Sequence, residues 1–217
     1  MSSLAAVIFD LDGVIVKTDE YHYRAWKRLA DELDIPFDRE KNQQLRGVGR
    51  MSSLKIVLPH DHGYSQEQLE ELASRKNGYY QKLIEELSPD DLLPGTKELL
   101  DELDAHGVKK AVGSASKNAG TVVDKLQVRD RFDAVITGHD FERGKPAPDV
   151  FLAATERLGV EPGKCIVFED AVAGVEAAHN GGMKAVGVGP KDLLSDAERV
   201  VKSLAEVSYP DLEALME

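Results

Sequence analysis

The chain predicts an α/β fold, a doubly wound and mostly parallel sheet with an α-helical segment inserted into it. Three observations carry that reading. Short apolar, β-branched runs recur along the 217 residues and alternate with helical patterns, which is how strand-helix-strand units appear in sequence. One long stretch, residues 18–88, contains no convincing strand. Polar residues able to do chemistry follow directly after consecutive apolar runs, at the sheet edge where parallel folds bind ligands.

The first predicted strand covers residues 5–9, the run Ala5, Ala6, Val7, Ile8, Phe9, and it delivers Asp10, Leu11, Asp12 and Gly13. Residues two apart on an extended chain project to the same side, so both carboxylates are expected to serve one pocket. Helix then follows helix through residues 18–88. Ala25, Leu29 and Leu33 share one helical face, as do Leu69, Leu72 and Ala73, while residues 47–49 and 59–63 mark turns. Pro89 and Pro94 return the chain to the sheet. A helix over 96–105 carries Leu99, Leu100 and Leu103 on one face before Gly107, and another over 148–158 opens with Pro148 and stops at Gly159. The remaining strands are expected at 109–113, 132–137, 164–168 and 184–188. Residues 191–217 carry little pattern. The division that follows is an α/β core of residues 1–17 and 89–217 and an inserted helical cap of residues 18–88.

Composition excludes several function classes. Hydrophobic content of 42%, charged content of 30% and a formal net charge of -12 describe a folded acidic protein that repels a nucleic-acid backbone. Any phosphate bound here needs local positive charge or a metal. The single cysteine, Cys165, rules out an internal disulfide and sits in an apolar run, which fits a reducing compartment. The apolar stretch at residues 4–9 is short, lacks a preceding basic residue and runs into Asp10, unlike a signal segment, and no stretch has the length of a bilayer span. A cytoplasmic monomer acting on a small molecule, without membrane or nucleic-acid partners, is the expectation.

The strand ends name a chemistry. The strand at 109–113 delivers Ser114, the loop after the next strand holds Gly144, Lys145 and Pro146, and the strand at 164–168 delivers Glu169 and Asp170. Parallel strands point the same way, so these groups should converge with Asp10 and Asp12 on one cleft. Carboxylates gathered around one point repel unless a cation sits among them, and an all-oxygen set without clustered His or Cys favours Mg²⁺. Lys145 and Ser114 supply donors for phosphoryl oxygens as charge develops. The set describes phosphoryl transfer through an aspartyl phosphate, with Asp10 as nucleophile and Asp12 as general acid and base. Each residue also has an ordinary alternative: Ser114 as a helix cap, Lys145 as a solvated loop lysine, Glu169 and Asp170 as an acidic helix start.

At these residues the chain resembles the haloacid dehalogenase superfamily of phosphotransferases, and within it the β-phosphoglucomutases. The broader resemblance rests on Asp10, Leu11, Asp12, Gly13, Val14, on Ser114, on Gly144, Lys145, Pro146, and on Glu169, Asp170. The narrower one rests on Glu20, Tyr21, His22 with Arg24, Ala25, Trp26, on Leu45, Arg46, Gly47, Val48, Gly49, Arg50, on Arg75, Lys76, Asn77, and on Ser114, Ala115, Ser116, Lys117, Asn118. The resemblance implies a helical cap that opens and shuts over the site. It implies a catalytic set of Asp10, Asp12, Ser114, Lys145, Thr18 and His22, and one Mg²⁺ held by Asp10, Asp12, Glu169 and Asp170. It further implies that Arg50, Ser116, Lys117 and Asn118 hold the phosphate not being transferred, that Lys76 and His22 serve the cap and the sugar, and that Trp26, Gly47, Val48 and Ala115 line the substrate. The activity implied is interconversion of β-D-glucose 1-phosphate and β-D-glucose 6-phosphate through bound glucose 1,6-bisphosphate; the alternative is a phosphatase of the same superfamily acting on a small sugar phosphate. Val16 and Lys17 stand where family members usually carry Thr and Asp, which places a cation on the linker into the cap.

Overall fold

The computed structural model describes residues 4–45 and 48–217. Among them a six-stranded sheet runs β1 (Ala6–Phe9), β2 (Lys109–Gly113), β3 (Ala134–Ile136), β4 (Cys165–Glu169), β5 (Lys184–Val188) and β6 (Arg199–Val201), in spatial order β3-β2-β1-β4-β5-β6 with every pairing parallel. The order reverses at β1, which lies between β2 and β4. That is the switch point at which open parallel sheets bind ligands.

Two departures from the expected strands have simple causes. β3 is shorter than residues 132–137 because Asp133 turns its carboxylate to the Lys110 N–H, at 2.8 Å, and Thr137 is captured in a turn by Asp140. β6 is a three-residue edge strand of Arg, Val and Val, too short to register as an apolar run.

β1 is buried on both faces, which accounts for its uninterrupted apolar sequence. Ala6 and Ile8 join Ala111, Val167 and Phe151 on one side. On the other, the rings of Phe9 and Phe168 stack at 5.2 Å and Phe132 meets Phe9 edge-on at 6.0 Å. Each such ring contributes roughly 1.5–3 kcal/mol by leaving water. Helices α5 (Thr96–Ala105), α6 (Ala119–Lys125), α7 (Asp149–Leu158), α8 (Val172–Asn180) and α9 (Tyr209–Leu215) complete this unit. α7 packs on β1, β2 and β3, α8 on β4 and β5, α5 on β2 and α6 on β3. Pro148 caps α7 from just outside, and Gly159 ends it in a left-handed conformation at φ +66°.

The chain divides into two compact units, residues 1–17 with 88–217, and residues 18–87. The second is built from α1 (Asp19–Glu32), α2 (Arg39–Gln43), α3 (Arg50–Val57) and α4 (Gln66–Ile84). Trp26, Leu29, Leu54, Leu69 and Leu72 form its core. A reciprocal cap starts α4, in which Ser65 accepts from the Gln68 N–H and Gln68 accepts from the Ser65 N–H. At the boundary, Val16 is buried and Lys17 is exposed. No helix among the described residues is long and apolar enough to cross a membrane.

Candidate active site

Asp10 is the first residue beyond β1, and its N–H still bonds the Phe168 carbonyl at 2.9 Å. The backbone then folds back on itself. The N–H groups of Ile15 and Val16 both reach the Leu11 carbonyl, at 3.0 and 3.1 Å, and the Gly13 N–H meets the Val16 carbonyl at 2.7 Å. Asp12 therefore sits in a turn, and this loop, not strand alternation, sets its place. Gly13 adopts φ +87°, and a Cβ there would lie 2.0 Å from Asp170 Oδ2. Only glycine allows the first loop to rest directly against the fourth.

Lys145 ties the strand ends together. Its Nζ donates to Asp10 Oδ1 and to Glu169 Oε1, each at 2.5 Å. The side chains of Lys145 and Glu169 are 1% exposed and that of Asp10 10%, so this is not a solvated loop lysine. A buried ammonium is tolerated only when paired, and a buried carboxylate likewise. Glu169 gives its second oxygen to the Ala171 N–H at 2.9 Å. The loop bearing Lys145 is braced at both ends: Asp149 accepts three bonds from Arg143, at 2.7, 3.1 and 3.2 Å, and Asn180 donates to the Pro146 carbonyl at 3.0 Å. Sequence reasoning missed Asp149 and Asn180, because neither follows a strand nor repeats a motif.

Electrostatics follow from this burial. Loss of solvent pushes the Asp10 carboxyl up to about 6, with the Lys145 ammonium pulling it down and Glu169 pushing it further up. Burial alone would lower Lys145, but Asp10 and Glu169 outweigh it and hold the ammonium above its ordinary value. Asp10, Glu169 and Asp170 each present an oxygen, all within 4.8 Å of one another. Three carboxylates and one ammonium make a negative site with all-oxygen donors, and Mg²⁺ fits both properties. The Asp12 carboxylate stands outside this trio.

The loop after β2 is built from nested turns. Ser114 donates its N–H to the Ile136 carbonyl at 3.0 Å, while its Oγ accepts from the Ser116 N–H at 3.1 Å. Ser116 Oγ in turn accepts from the Asn118 N–H at 3.2 Å. Ser114 does not cap α6; Asn118 occupies the cap position, without a side-chain cap bond of its own. The Gly138 N–H reaches the Ser116 carbonyl at 3.2 Å, so the β3 loop supports the β2 loop. Ala115, Ser116 and Lys117 lie on this scaffold, with Lys117 exposed.

Within the helical unit, His22, Lys76 and Trp26 meet. Lys76 Nζ lies 2.9 Å from His22 Nδ1, 4.8 Å from the centre of the Trp26 ring and 5.0 Å from that of Tyr80. An ammonium has only protons to offer, so Nδ1 accepts and the ring proton belongs on Nε2. Burial, then the charges of Lys76 and Arg50, keep His22 well below its ordinary value and neutral. Arg50 opens α3, and burial lowers its own value. Val48 accepts a bond from Ser53 Oγ at 3.2 Å, and Thr18, buried at the cap of α1, accepts from the His22 N–H at 3.0 Å. Gly47 lies outside the described residues.

Comparison with known proteins adds independent support. The family model for haloacid dehalogenase-like hydrolases matches residues 4–182. A β-phosphoglucomutase of Bacillus subtilis is 42% identical over 208 residues, covering 94% of this chain and 92% of that protein. A fructose-1-phosphate phosphatase of Escherichia coli is 33% identical over 193 residues, covering 85% of this chain and 96% of that protein. Among solved structures, a β-phosphoglucomutase from Clostridium difficile superposes with a TM-score of 0.95 at 38% identity, covering 98% of this chain and 97% of that one.

Proposed function

The chain belongs to the haloacid dehalogenase-like hydrolase family, and from that premise we infer that it catalyses the Mg²⁺-dependent β-phosphoglucomutase reaction, interconverting β-D-glucose 1-phosphate and β-D-glucose 6-phosphate. The observation that carries this reading is the Lys145 ammonium, buried at the switch point between Asp10 and Glu169.

In the scheme we propose, the Asp10 carboxylate attacks phosphorus of glucose 1,6-bisphosphate. The bond from phosphorus to the sugar oxygen breaks, and Asp12 gives that oxygen its proton. When the 1-phosphoryl group is the one transferred, glucose 6-phosphate leaves as product and β-glucose 1-phosphate takes its place. Asp12 accepts the proton of its free 6-hydroxyl, and that oxygen attacks the aspartyl phosphate, breaking the bond from phosphorus to Asp10 and regenerating the bisphosphate and the Asp10 carboxylate. Lys145 and Ser114 donate to the phosphoryl oxygens as charge spreads in the transition state. Asp10, Asp12, Glu169 and Asp170 would hold the Mg²⁺, which when bound would screen the negative charges of nucleophile and phosphate.

A mutase holds two phosphates at once and so needs a second anion site. Ser116, Lys117 and Asn118 are assigned to it, along with Arg50, whose guanidinium forms a bidentate fork. Neutral His22 with its Nε2–H, and Lys76 beside it, are assigned to the sugar. The lone buried thiol of Cys165 fits a reducing, cytoplasmic setting.

The second reading is hydrolysis of a sugar phosphate, favoured by the likeness to the Escherichia coli phosphatase. Incubation with β-glucose 1-phosphate, Mg²⁺ and a trace of glucose 1,6-bisphosphate separates the two. Accumulation of glucose 6-phosphate is the expected result, and accumulation of free phosphate alone overturns the mutase reading.

A further inference from the structure

Lys145 has a third neighbour besides its two carboxylates. Its Nζ lies over the ring of Phe151, 4.9 Å from the centroid, within the range of a cation–π contact. Phe151 is fully buried in the first turn of α7, six residues after Lys145. The ring also packs closely on the sheet. A Cβ built on Gly113, the last residue of β2, would come within 3.1 Å of its Cδ1 and 3.2 Å of its Cε1. The ring thus lies close against the backbone of β2 and has the Lys145 ammonium over it.

We propose that Phe151 is a positioning residue for this site, acting through Lys145: the ring face is the seat that keeps the ammonium aimed at the oxygens around Asp10. The inference rests on the phosphoryl-transfer reading of the site. During that chemistry the Asp10 carboxylate becomes an acyl phosphate and then a carboxylate again, so the pull of one partner on Lys145 changes at each step. The attraction of the ring for a cation does not depend on the state of Asp10, and in a water-excluded site it stays strong. A lysine stem has four rotatable carbons and needs such a fixed seat if its charge is to arrive in place without reorganisation.

Fluorinated phenylalanines test this, because they keep the shape of the ring while draining charge from its face. We expect kcat to fall stepwise from phenylalanine through mono- and difluoro- to trifluorophenylalanine at position 151, by roughly tenfold in all. KM for β-glucose 1-phosphate and the urea midpoint should stay at the unsubstituted values. Phe151→Leu, which removes the ring altogether, should lower kcat at least as far. A flat kcat across the fluorinated series overturns the proposal and leaves Phe151 as core filling, whatever Phe151→Leu does to folding. Glucose 6-phosphate and free phosphate are both measured in every sample. A wild type that releases only phosphate thereby defeats the mutase reading, while the trend in total turnover still decides the role of Phe151.

Discussion

Gly174→Ala puts the placement of Glu169 to a sharp test. Gly174 lies in the first turn of α8, and by helix preference alone the change should stabilise the protein by about 0.5–1 kcal/mol. The structure predicts the opposite. A Cβ at position 174 would stand 1.9 Å from Glu169 Oε1, 2.0 Å from its Cδ and 2.4 Å from its Cγ, where side-chain contacts under 3.0 Å do not occur. The carboxylate must retreat by about 1 Å or more, a shift comparable to those that cost catalysis about 10²-fold. Such a retreat strains the 2.5 Å contact with Lys145 and the 2.9 Å bond from the Ala171 N–H. A charge-assisted bond is worth about 1.5–3 kcal/mol, so one lost bond outweighs the gain in helix preference and leaves a net loss of about 1–2 kcal/mol. Urea denaturation measures that loss, and steady-state turnover across a Mg²⁺ titration measures the rest. We expect kcat to drop by about two orders of magnitude and the Mg²⁺ requirement to rise by about 10- to 100-fold. A variant that is more stable than wild type, with unchanged kcat and an unchanged Mg²⁺ midpoint, refutes the placement of Glu169 in the site.

Two further predictions concern groups away from the chemistry. Burial pushes the Cys165 thiol up to about 11, so iodoacetamide should leave the native protein unmodified at pH 8 and add one equivalent in urea; rapid native alkylation contradicts the burial. Asp211 is held at about 2, first by the Ser208 hydroxyl and then by Arg199. Because the folded value lies below that of the unfolded chain, its contribution is complete above about pH 4 and is lost as pH falls towards 2. Asp211→Asn should flatten that part of the pH dependence of the urea midpoint, and an identical slope in the variant excludes Asp211 as its source.

Much of this site is legible before any coordinates, and the reason is topological. In a parallel sheet, residues that follow consecutive strands share an edge, so Asp10, Ser114 and Glu169 can be grouped from the apolar runs that precede them. Lys145 joins them because its loop follows β3. What stays hidden depends on packing between elements. Gly174 reads in sequence as a weak point in a helix, although its missing side chain is the space Glu169 occupies. Phe151 reads as core, and it is core, but nothing in its spacing reveals an ammonium over its ring. The turn that places Asp12 is set by backbone bonds to Leu11 and Val16, which an alternation rule cannot anticipate. The strand at Arg199–Val201 escaped for another reason, since three residues at a sheet edge make no periodic signal.

Covalent capture of the phosphoryl group tests the central claim most directly. The protein is incubated with glucose 1,6-bisphosphate and Mg²⁺, quenched, and reduced with tritiated borohydride, which converts an aspartyl phosphate to labelled homoserine. The account predicts label at position 10 alone, together with loss of both label and turnover in Asp10→Asn. Turnover that persists in Asp10→Asn, or label at another residue, contradicts it.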